Sequence, residues 1–406
     1  MPIEDELQDR RNDYDVTNTV QVSSAPQVRT AVADLFGALY PNSSFDSVWL
    51  AFHDFERVFR GLDPNYFAVD TTYHDMQHTL DMTLALARLI AGHEMSVEPF
   101  DVDVADPGEL ATVSALFQDV GNRRHRERDA AAVNGAVFTR VHVTRSGQYL
   151  ENYLPRVGLE QFAPVVARIV HFTGYELNVD QIELEEPKDS VVGHLLGTAD
   201  LVAQLADRCY LEKCRDRLYP EFVIGGVAID ERPQGKVLYH SAHDLLGKTL
   251  SFYQTSARLR LENNFNRVYR YFEAFFERGQ SPYIRFIRKN LTFLNTVIQN
   301  GDWERLRRHP PCVIPDPHGE AHLLELALQR VRDWSASRPA TGPVPVPAIG
   351  APGGFRRPEA APSVIEDDRE AGCVEGNLHG EIRRVALLLV NLDVLAVVFV
   401  GHVLGR

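Results

Sequence analysis

The chain has 406 residues, 44% of them hydrophobic and 24% charged, enough for one large domain or two ordinary ones around a buried core. Its formal net charge of −14 repels a nucleic-acid backbone and argues against general nucleic-acid binding. A small phosphorylated molecule stays compatible with that charge, because a bound metal and a few arginines reverse the local field.

Residues 1–28 are polar and open with MPIEDELQDRRNDYD, an acidic start with no apolar run, so a flexible N-terminal arm without a secretory signal is expected. Residues 29–335 are expected to form an all-α domain. In SVWLAFHDFERVFRGLDP, Trp49, Phe52, Phe55 and Phe59 recur every three or four residues until Gly61, Asp63 and Pro64 stop the pattern. HTLDMTLALARLIAGHE repeats the theme with Leu86, Leu89, Ile90 and His93. Further helices are expected at GELATVSALFQDV, DAAAVNGAVFTRVHV, FAPVVARIVHF, SVVGHLLGTADLVAQLADRCYLEKC and ARLRLENNFNRVYRYFEAFFE. Strand-like alternation is confined to residues 221–229 and 237–240. The Pro-, Ala- and Gly-rich residues 336–379 are expected to be a disordered linker. Residues 380–406 follow as an apolar segment. Within it, residues 385–404 are apolar enough for a membrane span, with Arg383 and Arg384 before them. Asn391 and Asp393 sit near the middle, and a central Asp costs roughly 3 kcal/mol on insertion. Two readings stand: a tail anchor on the cytoplasmic face of a membrane, or a segment docked on the folded domain. The four cysteines, Cys209, Cys214, Cys312 and Cys373, form no CxxC pair and are too few for a disulfide scaffold, so reduced cytoplasmic thiols are expected.

Six polar positions interrupt the apolar helical runs: His78, Gln118 with Asp119, His142, His171 and Asp200. One such residue is usually a satisfied core or surface group. Several, each in a separate helix, can converge on one metal centre, which offsets the cost of burying them. His53, His93, His125, His194, His240 and His243 read as core or surface histidines. No GxxxxGK[ST] loop, GxSxG elbow or GxGxxG turn is present, so kinase, α/β-hydrolase and dinucleotide-binding readings have no support.

The order of these residues resembles the ligand order of the HD superfamily of metal-dependent phosphohydrolases, well represented in bacteria. YHDMQH, Tyr73 to His78, is similar to the YHNxxH opening of the cyclic-nucleotide phosphodiesterases. ALFQDVGN, Ala115 to Asn122, resembles the helix carrying the paired His-Asp, and TADL, Thr198 to Leu201, the segment carrying the last Asp ligand. The likeness covers about residues 70–205 and is moderately specific as a set.

The resemblance implies an HD-type helical bundle that hydrolyses a phosphoester, a nucleotide or cyclic nucleotide being the expected substrate, with one or two divalent ions (Mn, Mg, Fe or Zn). His78 would be the first ligand, Asp119 a bridge between two ions, Asp200 a far-side ligand, and His142 with His171 the second position. His74 would be a general acid on the same helix face as His78, not a ligand. Arg123 and Arg124 would hold the substrate phosphate. The departure from the pattern is Gln118, where the superfamily has His. Gln118 would then be a metal ligand through its amide oxygen, a poorer donor than imidazole for zinc or iron and better suited to Mn or Mg. The alternative is therefore a degenerate HD domain that binds a nucleotide or serves as a scaffold without catalysis.

Overall fold

Three-to-four periodicity dominates the sequence, and helices follow from it. The computed structural model describes residues 10–96, 106–230, 236–276, 279–311 and 319–337. The chain is all-α: no strand forms among the described residues, and extended pairing is limited to isolated bridges such as Ile229 with Val237. The α-helices are α1 (Ala25–Leu39), α2 (Asp46–Phe59), α3 (Met76–Ser96), α4 (Asp106–Phe117), α5 (His142–Tyr153), α6 (Ala163–Ile169) and α7 (Pro187–Ala206). Then come α8 (Tyr210–Lys213), α9 (Tyr219–Ile224), α10 (Ala242–Phe252), α11 (Tyr271–Phe275), α12 (Pro282–Asn300) and α13 (Gly319–Ser337). One compact unit runs from Met1 to Arg332, and of the second, Asp333–Arg406, residues 333–337 are described.

The centre of the first unit is α3, buried on every side from Met76 to His93. A helix buried on every side belongs inside a bundle, and α1, α4, α7 and α11 pack around it. The approach of α11 needs Gly92, where a Cβ would meet the Tyr271 carbonyl oxygen at 1.9 Å. The other central helix, α7, also contacts α4, α6 and α12. It stops at Ala206 because Asp207 turns the chain: its carboxylate accepts from the Cys209 backbone N–H and pairs with Lys213 Nζ at 2.5 Å. The run expected to stay helical through Cys214 thus divides into α7 and α8.

Several expectations are corrected. Residues 10–24 are not a flexible arm: Val16 and Val22 are buried, Arg10 donates to the Ala206 carbonyl, and buried Asp15 pairs with Arg88 of α3 at 2.7 Å. Residues 129–141 form turns and a short 3-10 helix, Gly135–Phe138, in place of a continuous helix, and α5 begins at His142. The strand-like 221–229 stretch begins instead as part of α9. The segment at 257–277 is broken into π and 3-10 turns before α11, with Asn266 and Arg267 at positive φ. Of the expected linker, residues 336–337 close α13, and the rest of it and the apolar 385–404 segment lie outside the described residues. No helix among the described residues is long and apolar enough to cross a membrane.

Candidate metal centre

Four segments bring the site residues together. His78 lies in the first turn of α3; Asp119 follows α4 and leads into a 3-10 turn, Val120–Asn122; His142 opens α5; Asp200 lies within α7. Gly121 lets two of these approach, since a Cβ there would meet the His142 carbonyl oxygen at 1.9 Å. Its N–H donates to Ser146 Oγ of α5 at 2.8 Å, fastening the turn.

Asp119 stands at the junction. Its Oδ2 lies 3.6 Å from His78 Nε2, and its Oδ1 lies 3.5 Å from His142 Nε2. On the other side of His78, Asp200 Oδ1 is 3.1 Å from the same Nε2. Two ligand atoms each about 2.1 Å from a shared ion stand roughly 3.0–3.5 Å apart at ordinary coordination angles, so these separations suit metal ligation. His74, Asp119 and His142 form a compact group whose ligand atoms all lie within 4.8 Å of one another. Asp119 is buried and its Oδ1 has no hydrogen-bond partner. An orphaned carboxylate oxygen in a core is costly unless something cationic sits against it.

The electrostatics agree. Asp119, Asp200 and Glu221 are buried carboxylates, and no Lys or Arg pairs with any of them among the described residues. Their excess negative charge acts on the imidazoles. Burial opposes protonation of His74, but Asp119 and Glu221 outweigh it and raise the ring to about 9. His78 is raised likewise, burial being overcome by Asp200 and Asp119. This cluster has no Lys or Arg partner among the described residues, and its geometry can hold a metal ion.

Second partners orient the rings. His74 Nδ1 contacts Glu221 Oε2 at 2.8 Å, and His142 Nδ1 donates to the Thr139 carbonyl at 2.8 Å, which leaves Nε2 of each ring available as a ligand. Glu221 also accepts from the backbone N–H groups of Tyr73 and His74. Sequence reasoning missed Glu221; its signal was an acid at the head of the apolar run FVI in a segment read as strand-like. It missed Glu176 too, which accepts from the Val143 and Thr144 N–H groups and so fixes the start of α5 under His142.

The remaining expected residues divide. His74 precedes α3 in a bend and does not share a helix face with His78; Glu221 anchors its ring within the compact group. Gln118 is buried beside the site, and its Nε2 donates to Asp119 Oδ2 at 2.5 Å. His171, in the 3-10 turn Val170–Phe172, lies within electrostatic reach of His142 but outside the compact group. Its Nδ1 is buried without a partner, and burial lowers its pKa. Arg124 is committed to Asp70 at 2.7 Å and to the Ala132 carbonyl. Arg123 lies over the Tyr66 ring and near Asp63. Neither arginine pairs with the cluster.

The chain matches no known family model, no curated protein and no solved structure.

Proposed function

We propose that this chain is a metal-dependent phosphohydrolase of the HD type, acting in the cytoplasm on a small phosphoester, with a nucleotide or cyclic nucleotide as the substrate class. The observation that carries the reading is Asp119, which turns one oxygen toward His78 and the other toward His142, while three buried carboxylates have no Lys or Arg partner among the described residues. His74, His78, Asp119, His142 and Asp200 would hold one or two divalent ions, Mn, Mg, Fe or Zn, with Asp119 the residue placed to be shared. When bound, such ions neutralise the phosphoester's charge and make water a nucleophile near neutral pH. Glu221 and Thr139 hold the proton on Nδ1 of His74 and His142 and keep both Nε2 lone pairs turned to the cluster. His171, whose Nδ1 is unpartnered, is the group free to complete a second position or to carry a proton at the leaving oxygen. The test is a metal-by-substrate screen of purified protein, loading each of the four ions and assaying phosphomonoesters, phosphodiesters and nucleotides. Metal-dependent turnover of a phosphoester supports the reading; tight metal binding without turnover of any of them opposes it.

One observation favours a second reading, a degenerate HD domain that binds a nucleotide without hydrolysing it. Gln118 spends its amide on Asp119 Oδ2, an oxygen that the phosphohydrolase reading leaves to an ion. Nucleotide binding that persists without metal and without turnover would select this reading.

A further inference from the structure

A second feature lies on the far side of the Val120–Asn122 turn. Val120 and Gly121 line a cleft of about 700 Å³, within the range of small-molecule sites. None of His74, His78, Asp119, His142 or Asp200 lines it. Five arginines do: Arg57 from the last turn of α2, Arg123 and Arg128 from the loop after the turn, Arg145 from α5, and Arg156 just beyond α5. In a chain of net charge −14 this is a concentrated reversal of sign.

Three carboxylates also line the cleft, and each is engaged. Asp63 faces Arg123 at 3.5 Å, Asp129 faces Arg145 at 3.8 Å and accepts from the His125 N–H, and Asp54 accepts from Tyr153 Oη at 3.1 Å. Arg57, Arg128 and Arg156 are exposed and have no carboxylate partner among the described residues. The two inner guanidiniums are held in place: Arg145 donates to the Gly121 and Arg123 carbonyls, and Arg123 stacks on Tyr66 at 3.4 Å. Burial and the nearby Arg128 and Arg123 lower Arg145 against the opposing pull of Asp129, so the cluster repels itself as it stands. Fixed forks, exposed forks and a cleft open to solvent suit a compact polyanion, because guanidinium groups bind phosphate oxygens in bidentate fashion. Arginines from separate segments around this volume exceed what one phosphate group can reach. The acidic remainder of the surface disfavours a long nucleic acid.

We propose that this cleft binds a small anion carrying two or more phosphate groups, at a site separate from the metal cluster. The test is calorimetric titration of the full-length, metal-free protein with inorganic pyrophosphate at low ionic strength, and then with orthophosphate. The expected result is saturable pyrophosphate binding, with orthophosphate at least roughly tenfold weaker. R57Q, R128Q and R156Q should each weaken pyrophosphate binding about tenfold, since each removes a charge-assisted contact. All three side chains are exposed, so the fold should survive, as circular dichroism would check. R60Q, which removes an exposed arginine that pairs with Glu56 and does not line the cleft, should leave binding unchanged. Asp119→Ala should also leave it unchanged, which separates this proposal from the phosphohydrolase reading. No saturable pyrophosphate binding, equal binding of orthophosphate, unaffected binding in all three single arginine variants, or loss of binding in Asp119→Ala would each overturn it.

Discussion

Glu221→Gln is the substitution that probes the site without touching a ligand. The Glu221 side chain is 1% exposed and accepts three hydrogen bonds, from the Tyr73 and His74 backbone N–H groups and from His74 Nδ1. Glutamine has nearly the same shape, and its oxygen can keep the two backbone bonds. Its amide nitrogen, however, then faces His74 Nδ1 as a donor. Either two donors clash, or the ring moves its proton to Nε2 and loses the lone pair that would bind a metal. A hydrogen bond to a charged group is worth roughly 1.5–3 kcal/mol, which converts to a roughly 10–150-fold loss of metal affinity. Outer-shell partners of metal-bound histidines have effects of about 10–100-fold, so the two routes agree. The assay is competition with a chromophoric chelator on wild type and variant, with thermal unfolding of both metal-free proteins as the check on folding. If metal affinity is unchanged in a folded Glu221→Gln protein, His74 is not a ligand and the orientation argument fails.

Other predictions follow from the same geometry. Asp81 is buried, its Oδ1 has no hydrogen-bond partner, and burial together with Asp207 raises its carboxyl to about 7. Against about 3.9 in the unfolded chain, that rise amounts to about 4 kcal/mol. Because the folded-state value is the raised one, that stability is complete below pH ~4 and is lost as pH rises toward ~7. Asp81→Asn should therefore be more stable than wild type above pH ~7, with the gap closing in acid; chemical denaturation across pH measures it, and an equal difference at every pH would refute it. Gly121→Ala should cost roughly 1–3 kcal/mol of stability by overpacking and weaken metal binding, because the added methyl drives into the His142 carbonyl. Denaturant titration and chelator competition read the two effects, and wild-type values in both would contradict the close approach. Gln118→His should raise metal content in elemental analysis, since imidazole is the better donor for transition metals, and lower content would show that the bond to Asp119 matters more than ligation.

Much of the fold was legible because periodicity is local. The apolar recurrence from Trp49 to Phe59 reads directly as α2, and the run through Leu86, Leu89 and Ile90 as α3. The errors arose where long-range groups decide. Residues 10–24 look like a polar arm until Arg88 on α3 supplies the partner for Asp15. The helix expected through Cys214 breaks at Asp207, whose carboxylate is engaged by Lys213. At the site, His78, Asp119, His142 and Asp200 were legible as polar residues in apolar helices, and they converge. The anchoring of His74 was not, because the carboxylate that orients it, Glu221, lies far along the chain in a segment whose alternation resembled a strand. Arg123 and Arg124 follow Asp119 closely in sequence, but the turn at Val120–Asn122 carries Arg123 into the cleft on its other side.

Asp119 is the centre of the proposed site, and one measurement addresses it: metal content and phosphoester hydrolysis of Asp119→Ala beside wild type, with far-ultraviolet circular dichroism on both. Removing the carboxylate takes away the negative charge placed between His78 and His142. The predicted result is a protein of unchanged helicity that has lost both bound metal and turnover. A helical Asp119→Ala protein with full metal content and full activity would contradict the account, because the site would then lie on other residues.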